Sequence, residues 1–340
     1  MIPLLRLPKR ALDIVLRNLT TMNQYLLAIY DDCFKSEIKS LTIGIDFTFK
    51  IIVSDVFFMY IVGPDDAWSY LDIIIYNNES GSVARKEGEP KRSFTENDRI
   101  SVMYRDYDWD YGWSYNPQGN ARQWILLIME VFNLKKIDNL HYGMDNWCFD
   151  SVKEMLKGIP LETLEISEEE PLRNYEQILK TVPPCSHFVQ ETNPGEKFRR
   201  VLIQNFESMR VSLLNFSELF IINSKFLSIS ERKFTIKNMN TFLKLWRKGS
   251  NPNAKHFSIR SIPIPANDDV MNILKGIPYE TIPDAVERSF LKFIYSPPVK
   301  YEKIQGGYDI KRMTDGRKAT VKLERRWESN LYFDFFVWDE

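Results

Sequence analysis

The chain has 340 residues, and its 45 lysines and arginines against 46 aspartates and glutamates leave a formal net charge of −1. That balance lacks the basic excess that holds phosphate backbones or anionic lipid surfaces, so neither nucleic acid nor a membrane is an expected partner. Apolar residues at 44% and aromatics at 14% are too many for a disordered chain, and the length is a prior for two or three domains.

The cysteines, Cys33, Cys148 and Cys185, are odd in number and far apart, and no Cys-x-x-Cys occurs. Neither a disulfide framework nor a zinc cage is encoded, which fits a reducing compartment. The opening MIPLLRLPKRALDIV carries Arg6, Lys9 and Arg10 where a secretory signal needs an unbroken apolar stretch. No later segment is apolar and uncharged for long enough to span a bilayer. The expectation is an intracellular protein, cytoplasmic or nuclear.

Residues 1–41 read as a helical module. Leu12, Val15, Leu16 and Leu19 share one helical face, with Pro8 suited to a first turn. A second stripe, Leu27, Tyr30, Phe34, Ile38 and Leu41, follows a polar break at residues 20–24. Two short helices are expected, too small to bury a core alone.

From residue 42 to 118 the period changes to two. Ile43, Ile45, Phe47 and Phe49 alternate with polar residues, and Leu71, Ile73 and Ile75 do so after Gly63-Pro64-Asp65. This is a β-rich section, with residues 77–99 expected as a mobile surface loop.

Residues 119–340 read as a repeat-like α/β domain. Helical faces recur at Trp124/Leu127/Ile128/Val131, Val152/Met155/Leu156/Ile159, Tyr175/Ile178/Leu179/Val182, Met239/Phe242/Leu243/Trp246 and Val270/Ile273/Leu274/Ile277. Gly158, Gly249 and Gly276, each followed closely by proline, mark helix ends of the left-handed type. Between them lie segments with apolar residues at i, i+3 and i+5, read as strands: Ile137-Leu140-Tyr142, Leu161-Leu164-Ile166, Phe198-Val201-Ile203, Phe216-Leu219-Ile221, Ala254-Phe257-Ile259 and Phe290-Phe293-Tyr295. DSVKEMLKGIPLETL (150–164) and DDVMNILKGIPYETI (268–282) align without gaps, nine of fifteen positions being identical. Such recurrence fits stacked, leucine-rich-like repeats of irregular spacing. At the end, Asp315-Gly316 between two strand patterns signals a hairpin, and Leu331–Trp338 supplies a third strand that closes the sheet.

Signs of catalysis are few. The histidines, His141, His187 and His256, belong to no metal or nucleophile motif and read as packing or surface residues. In Tyr104–Trp113, Asp106, Asp108 and Asp110 mimic half a calcium loop, but the glycine is one place late and Pro117 stands at the twelfth position. Its aromatics, Trp109, Tyr111 and Trp113, could instead anchor a protein partner from an exposed loop. Glu168–Glu170 reads as a solvated turn, and Arg317, Lys318, Lys322, Arg325 and Arg326 as solubilising charges on a strand.

Leu5-Arg6-Leu7-Pro8 with Ala11-Leu12-x-x-Val15-Leu16-x-x-Leu19 resembles the opening of an F-box, and Ser36 stands where many F-boxes have tryptophan. Gly307-Tyr308-Asp309-Ile310-x-Arg312, Asp315-Gly316, Ala319-Thr320-Val321 and Phe335-Phe336-Val337-Trp338 look like the tail of the type 2 F-box-associated domain of the family expanded in nematodes. Asn240-Thr241-Phe242-Leu243-Lys244-x-Trp246-x-x-Gly249 resembles that domain's central helix. The resemblance implies a substrate-recruiting subunit of a Skp/cullin/RING ubiquitin ligase, without enzymatic activity or cofactor of its own. Leu5, Leu7, Pro8, Leu12, Val15, Leu16 and Leu19 would form the adaptor-binding and core residues of the first helix. The C-terminal domain would present a target protein, with Trp109, Tyr111 and Trp113 as candidate contacts. Two other readings stand beside it: a repeat scaffold without ligase association, and a carbohydrate-active enzyme using Asp106, Asp108 or Asp110.

Overall fold

The computed structural model describes residues 7–19, 21–30, 32–42, 46–54, 57–62, 70–76, 99–106, 109–115, 120–143, 147–166, 175–190, 198–213, 215–229, 234–264, 269–293, 299–326 and 330–338. It is a mixed α/β protein with extensive β-sheet. The chain divides into two compact units, one of residues 1–170 with 177–185 and one of residues 171–176 with 186–340.

The first unit opens with three helices, α1 (Lys9–Arg17), α2 (Thr21–Tyr30) and α3 (Asp32–Leu41). The spacing predicted two, separated by a polar stretch that instead forms the first turn of α2. The second predicted stripe, 27–41, is shared between α2 and α3. Gln24 in the first turn of α2 donates through Nε2 to the Leu16 and Leu19 carbonyls at 3.0 and 3.3 Å, tying α2 to the end of α1. Pro8 stands just ahead of α1 and its carbonyl accepts from Ala11 and Leu12. Lys9 meets Glu37 at 2.6 Å, joining α1 to α3.

The strands β1 (Thr48–Val53), β2 (Phe57–Val62), β3 (Tyr70–Tyr76), β4 (Arg99–Asp106) and β5 (Trp109–Tyr115) form an antiparallel meander. Phe49, Ile51 and Val53 pair in register with Ile61, Met59 and Phe57, and all six are buried. The alternation read from residue 43 becomes strand only at Thr48, residues 43–45 lying outside the described part. So do residues 77–98 of the expected loop, while Arg99 begins β4.

Asn120 caps α4 (Ala121–Val131) through a reciprocal bond with Gln123, and Thr42 Oγ1 donates to the Val131 carbonyl at 3.0 Å. β6 (Ile137–Tyr142) runs parallel to β1, and β7 (Leu161–Ile166) parallel to β6, with α5 (Phe149–Leu156) between them in the chain. The order is β7-β6-β1-β2-β3-β4-β5. Asp138 accepts from the Phe49 N–H at 2.8 Å, and burial raises its carboxyl above the ordinary range despite Lys136 nearby. The β1–β6 pairing and the packing of α3 on α4 draw the expected sections 1–41, 42–118 and the start of 119–340 into one unit. α6 (Tyr175–Thr181) spans the division between the units.

In the second unit β8 (His187–Gln190), β9 (Ser208–Val211), β10 (Phe226–Ile229) and β11 (His256–Pro263) run parallel. Between them in the chain come α7 (Arg199–Leu202), a 3-10 turn at Phe216–Phe220 and α8 (Ile236–Arg247). Two of the expected strand segments are therefore helical: Phe198-Val201-Ile203 lies on α7 and Phe216-Leu219-Ile221 on the 3-10 turn. An i, i+3 apolar pair suits a helical turn as well as a bent strand. The actual strands β8, β9 and β10 were not anticipated, being four residues long and largely buried on both faces, so no alternation marks them.

α8 follows the predicted face. Thr235 caps it, and Met239, Phe242, Leu243 and Trp246 are all buried. Phe242 lies 4.6 Å from the Phe257 ring and 5.4 Å from Phe335. Each such side chain contributes about 1.5–3 kcal/mol of burial.

The two copies of the internal repeat share a turn and then part. Lys157-Gly158 and Lys275-Gly276 both form the centre of a type II turn, the glycines at φ +73° and +72°. Ahead of it the first copy is α5, whereas the second is a 3-10 turn, Val270–Leu274, rather than the expected α-helix. Beyond it the first becomes the parallel strand β7, and the second opens β12 (Tyr279–Phe293).

β12 pairs antiparallel with β13 (Val299–Lys311), which pairs with β14 (Lys318–Arg326), then β15 (Asn330–Val337), which closes on β11. The expected hairpin and third strand are present. Segment Phe290-Phe293-Tyr295 belongs to this meander through β12, with Tyr295 outside the described residues. A register shift sets four residues of β12, 283–286, against Gly306. Gly306 and Gly307 take φ +65° and +113°.

A Cβ on Gly307 would meet Thr320 Cγ2 at 2.9 Å and the Val321 carbonyl at 3.0 Å, whereas one on Gly158 would meet nothing within 4 Å. Gly158→Ala is expected to cost about 1 kcal/mol, the left-handed backbone alone. Gly307→Ala should exceed it, at about 2–3 kcal/mol, and urea denaturation of the two variants side by side measures the difference.

Candidate functional site

The turns entering β9, β10 and β11 carry the same short pattern, Asn205-Phe206-Glu207, Asn223-Ser224-Lys225 and Asn253-Ala254-Lys255. Their asparagines form a ladder. Asn223 Nδ2 donates to Asn205 Oδ1 at 2.8 Å, and Asn253 Nδ2 to Asn223 Oδ1 at 2.6 Å. The backbone repeats the step, Lys225 N–H donating to the Glu207 carbonyl and Lys255 N–H to that of Lys225. Each turn thus satisfies the next. The pattern of Asn, two residues on Glu or Lys, then a strand is present in the sequence and went unread.

Within this stack Glu218, 4% exposed, accepts from Arg199 Nε at 3.2 Å and from the Asn215 N–H at 3.3 Å. His187 Nδ1 lies 2.7 Å from Ser208 Oγ across β8 and β9. Residues Ile203 and Ile221, one in each of two successive turns, are exposed.

The tail motif turns out to be a chain of polar contacts inside the C-terminal sheet. Arg288 reaches both carboxylate oxygens of buried Asp309 at 3.0 and 2.9 Å, and Thr320 Oγ1 donates to Asp309 Oδ1 at 2.8 Å. Trp338 Nε1 donates to Thr320 Oγ1 at 3.1 Å, and the Arg288 guanidinium lies 5.1 Å from the Trp338 ring. A second latch joins the β13–β14 turn to the end of α8. Arg312 lies 5.2 Å from the Trp246 ring and donates through Nε to Asp315 at 2.9 Å. Met313 N–H donates to the Arg247 carbonyl at 2.8 Å, and Gly249, at φ +107°, leaves room for Thr314. The paired Arg312 guanidinium holds the Asp315 carboxyl well below the usual carboxylate range. Of the basic cluster, Lys318 lies 5.2 Å from the Trp338 ring and Lys322 donates to the Gln305 carbonyl at 2.5 Å.

The N-terminal residues divide by burial. Leu12 and Leu16 are buried, Leu16 completely, while Leu7, Val15 and Leu19 are half-buried and Pro8 is exposed. Leu5 lies outside the described residues. Ile14, which the sequence reading passed over, is 62% exposed. Trp109, Tyr111 and Trp113 lie not on a loop but at alternate positions of β5, opposite Asp106, Tyr104 and Val102 of β4, and their side chains lie outside the described part. Asp110 pairs with Arg105 in the same hairpin; Asp108 and Glu168–Glu170 are outside the described residues. His187 and His256 are buried, and His141 faces Glu165 at 3.5 Å. The cysteines are free, and burial pushes the Cys185 thiol up to about 12.

Residues 197–259 match the family model described as F-box associated. The matched stretch runs from α7 through β9, β10 and α8 into β11, and contains the whole asparagine ladder. Neither the curated proteins nor the solved structures give a match. Among the described residues no helix is long and apolar enough to cross a membrane.

Arg288→Ala is expected to lower stability by about 3–5 kcal/mol, because it strands the Asp309 carboxylate in the sheet; equilibrium urea denaturation reads the loss. Arg312→Gln should raise the Asp315 titration toward an ordinary carboxylate value, followed by NMR of its side-chain carboxyl.

Proposed function

We propose that the chain is a non-catalytic substrate receptor of a Skp/cullin/RING-type ubiquitin ligase. The observation that carries the reading is the F-box-associated match over residues 197–259, in a chain whose first described element is a short helix with an apolar exposed residue. The N-terminal helices hold a Skp-type adaptor, and the F-box-associated unit holds a target protein, bringing it close to a ubiquitin-loaded enzyme through proximity rather than bond chemistry. The adaptor surface draws on Leu7, Pro8, Ile14, Val15 and Leu19, since Leu12 and Leu16 are occupied by packing within the first unit. For the target, the exposed turns of the β9–β11 stack offer Ile203 and Ile221 beside the asparagine ladder.

One observation favours a second reading, a protein-interaction scaffold without ligase association. The leucine face of α1 is turned inward, and α2 and α3 pack on α4, so the helical module has a structural role of its own.

The test is calorimetric binding of the purified chain to a Skp-type adaptor, with circular dichroism of every variant. Micromolar or tighter binding is expected, falling at least tenfold in Ile14→Asp with the spectrum unchanged. Leu12→Asp with Leu16→Asp should unfold the first unit instead, because each places a charge in a dry site. No binding by the folded wild-type chain sinks the ligase reading and leaves the scaffold.

A further inference from the structure

The outer halves of β12 and β13, residues 287–293 and 299–305, lie beyond the register shift at Gly306 and Gly307. They pack back over the sheet, β12 touching β10, β11 and β15. Under them Phe290, Ile304 and Phe336 form a small apolar core with Trp338 at its border, the Phe290 and Phe336 rings 5.2 Å apart. The Arg288–Asp309 pair ties the returning hairpin down at its near end.

His256 is buried under this hairpin, its ring 4.7 Å from that of Phe336. Its Nε2 lies 3.0 Å from Asp334 Oδ1, and because a carboxylate only accepts, Nε2 carries the proton. The charged groups around it come from every neighbouring strand. Asp334 is on β15, with Lys322 of β14 as its register partner. Lys292 of β12 lies 3.9 Å from Asp334 and 3.0 Å from Glu302 of β13, and Arg260 of β11 also acts on Asp334.

We propose that the outer β12–β13 hairpin is a latch over His256 that opens when this histidine takes up a proton. The closed hairpin excludes the water that would solvate an imidazolium, and Lys292 adds a like charge. Asp334 and Glu302 favour the charged ring, but burial outweighs them and holds His256 below its ordinary value. An open hairpin returns the ring to water, where it titrates at about 6.5.

The sign follows from linkage. The open form binds the proton more readily, so the neutral closed form is fully favoured above pH ~6.5 and loses ground as the pH falls below it. One proton limits the gain to about tenfold in the opening constant per pH unit. Asp334 is held below the usual carboxylate range, which places its own titration further into acid.

Hydrogen exchange of the full chain, followed by mass spectrometry from pH 7.5 to 5.0 and corrected for intrinsic chemistry, tests this. Opening of 287–293 and 299–305 should rise below pH 6.5 with a slope approaching tenfold per unit, while the amides of α8 keep their protection. His256→Gln should flatten the slope. Because that variant alters a buried site, Arg288→Lys provides a second arm: it should raise opening at every pH and keep the slope. A flat wild-type profile, an unchanged slope in His256→Gln, or parallel loss of protection in α8 would overturn the latch.

Discussion

Asp309 is a carboxylate in the middle of a four-strand antiparallel sheet, and such a group is tolerated only with a cation and hydrogen-bond donors beside it. Thr320 supplies one donor from β14, and Arg288 supplies the cation from β12. For Arg288 to reach Asp309, β12 must carry extra residues past β13, and the four residues set against Gly306 do this. The same displacement turns the hairpin back over β11 and β15, where Phe290 covers Phe336 and His256 loses its water. One buried charge therefore accounts for the glycine pair, the bulge, the tryptophan at residue 338 and the dry histidine.

The matched F-box-associated segment has a different logic. Its strands β9 and β10, four residues each, are too short to be stable as isolated strands and too buried to show a pattern. β11, which pairs with β10, is held by α8 through the Phe242–Phe257 contact, and the entry turns of all three strands are joined by asparagines that bond to one another. The aromatic face and the ladder together make each strand dependent on its neighbour, the condition under which repeated units stack. The N-terminal unit shows the same dependence in another form, since α1 buries its two best leucines, Leu12 and Leu16, within the unit and leaves Ile14 exposed.

Much was legible. The face of α8, the α4 and α5 faces, β6 and β7, the left-handed glycines at 158, 249 and 276 and the C-terminal hairpin follow from local period and backbone sterics, which act within a few residues. The motif residues Asp309, Arg312, Thr320 and Trp338 were visible as a resemblance, without any indication that they touch. Segments 198–203 and 216–221 were misread because an apolar pair three apart fits a helical turn and a bent strand alike. The cluster at Asp106–Asp110 was misread as a loop because its alternation is carried by aromatics and acids rather than by aliphatic residues.

The two copies of the repeated fifteen-residue segment separate what each level decides. By itself the sequence determined the Lys-Gly turn, its type II geometry and the burial of Val152 and Leu156, or Val270 and Leu274, because these depend on a glycine and on the nearest apolar neighbours. Whether the residues ahead formed α5 or a 3-10 turn, and whether the strand beyond ran parallel as β7 or antiparallel as β12, was decided only in the tertiary structure. Backbone hydrogen bonds of a strand belong to its partner, and nothing in fifteen residues names that partner.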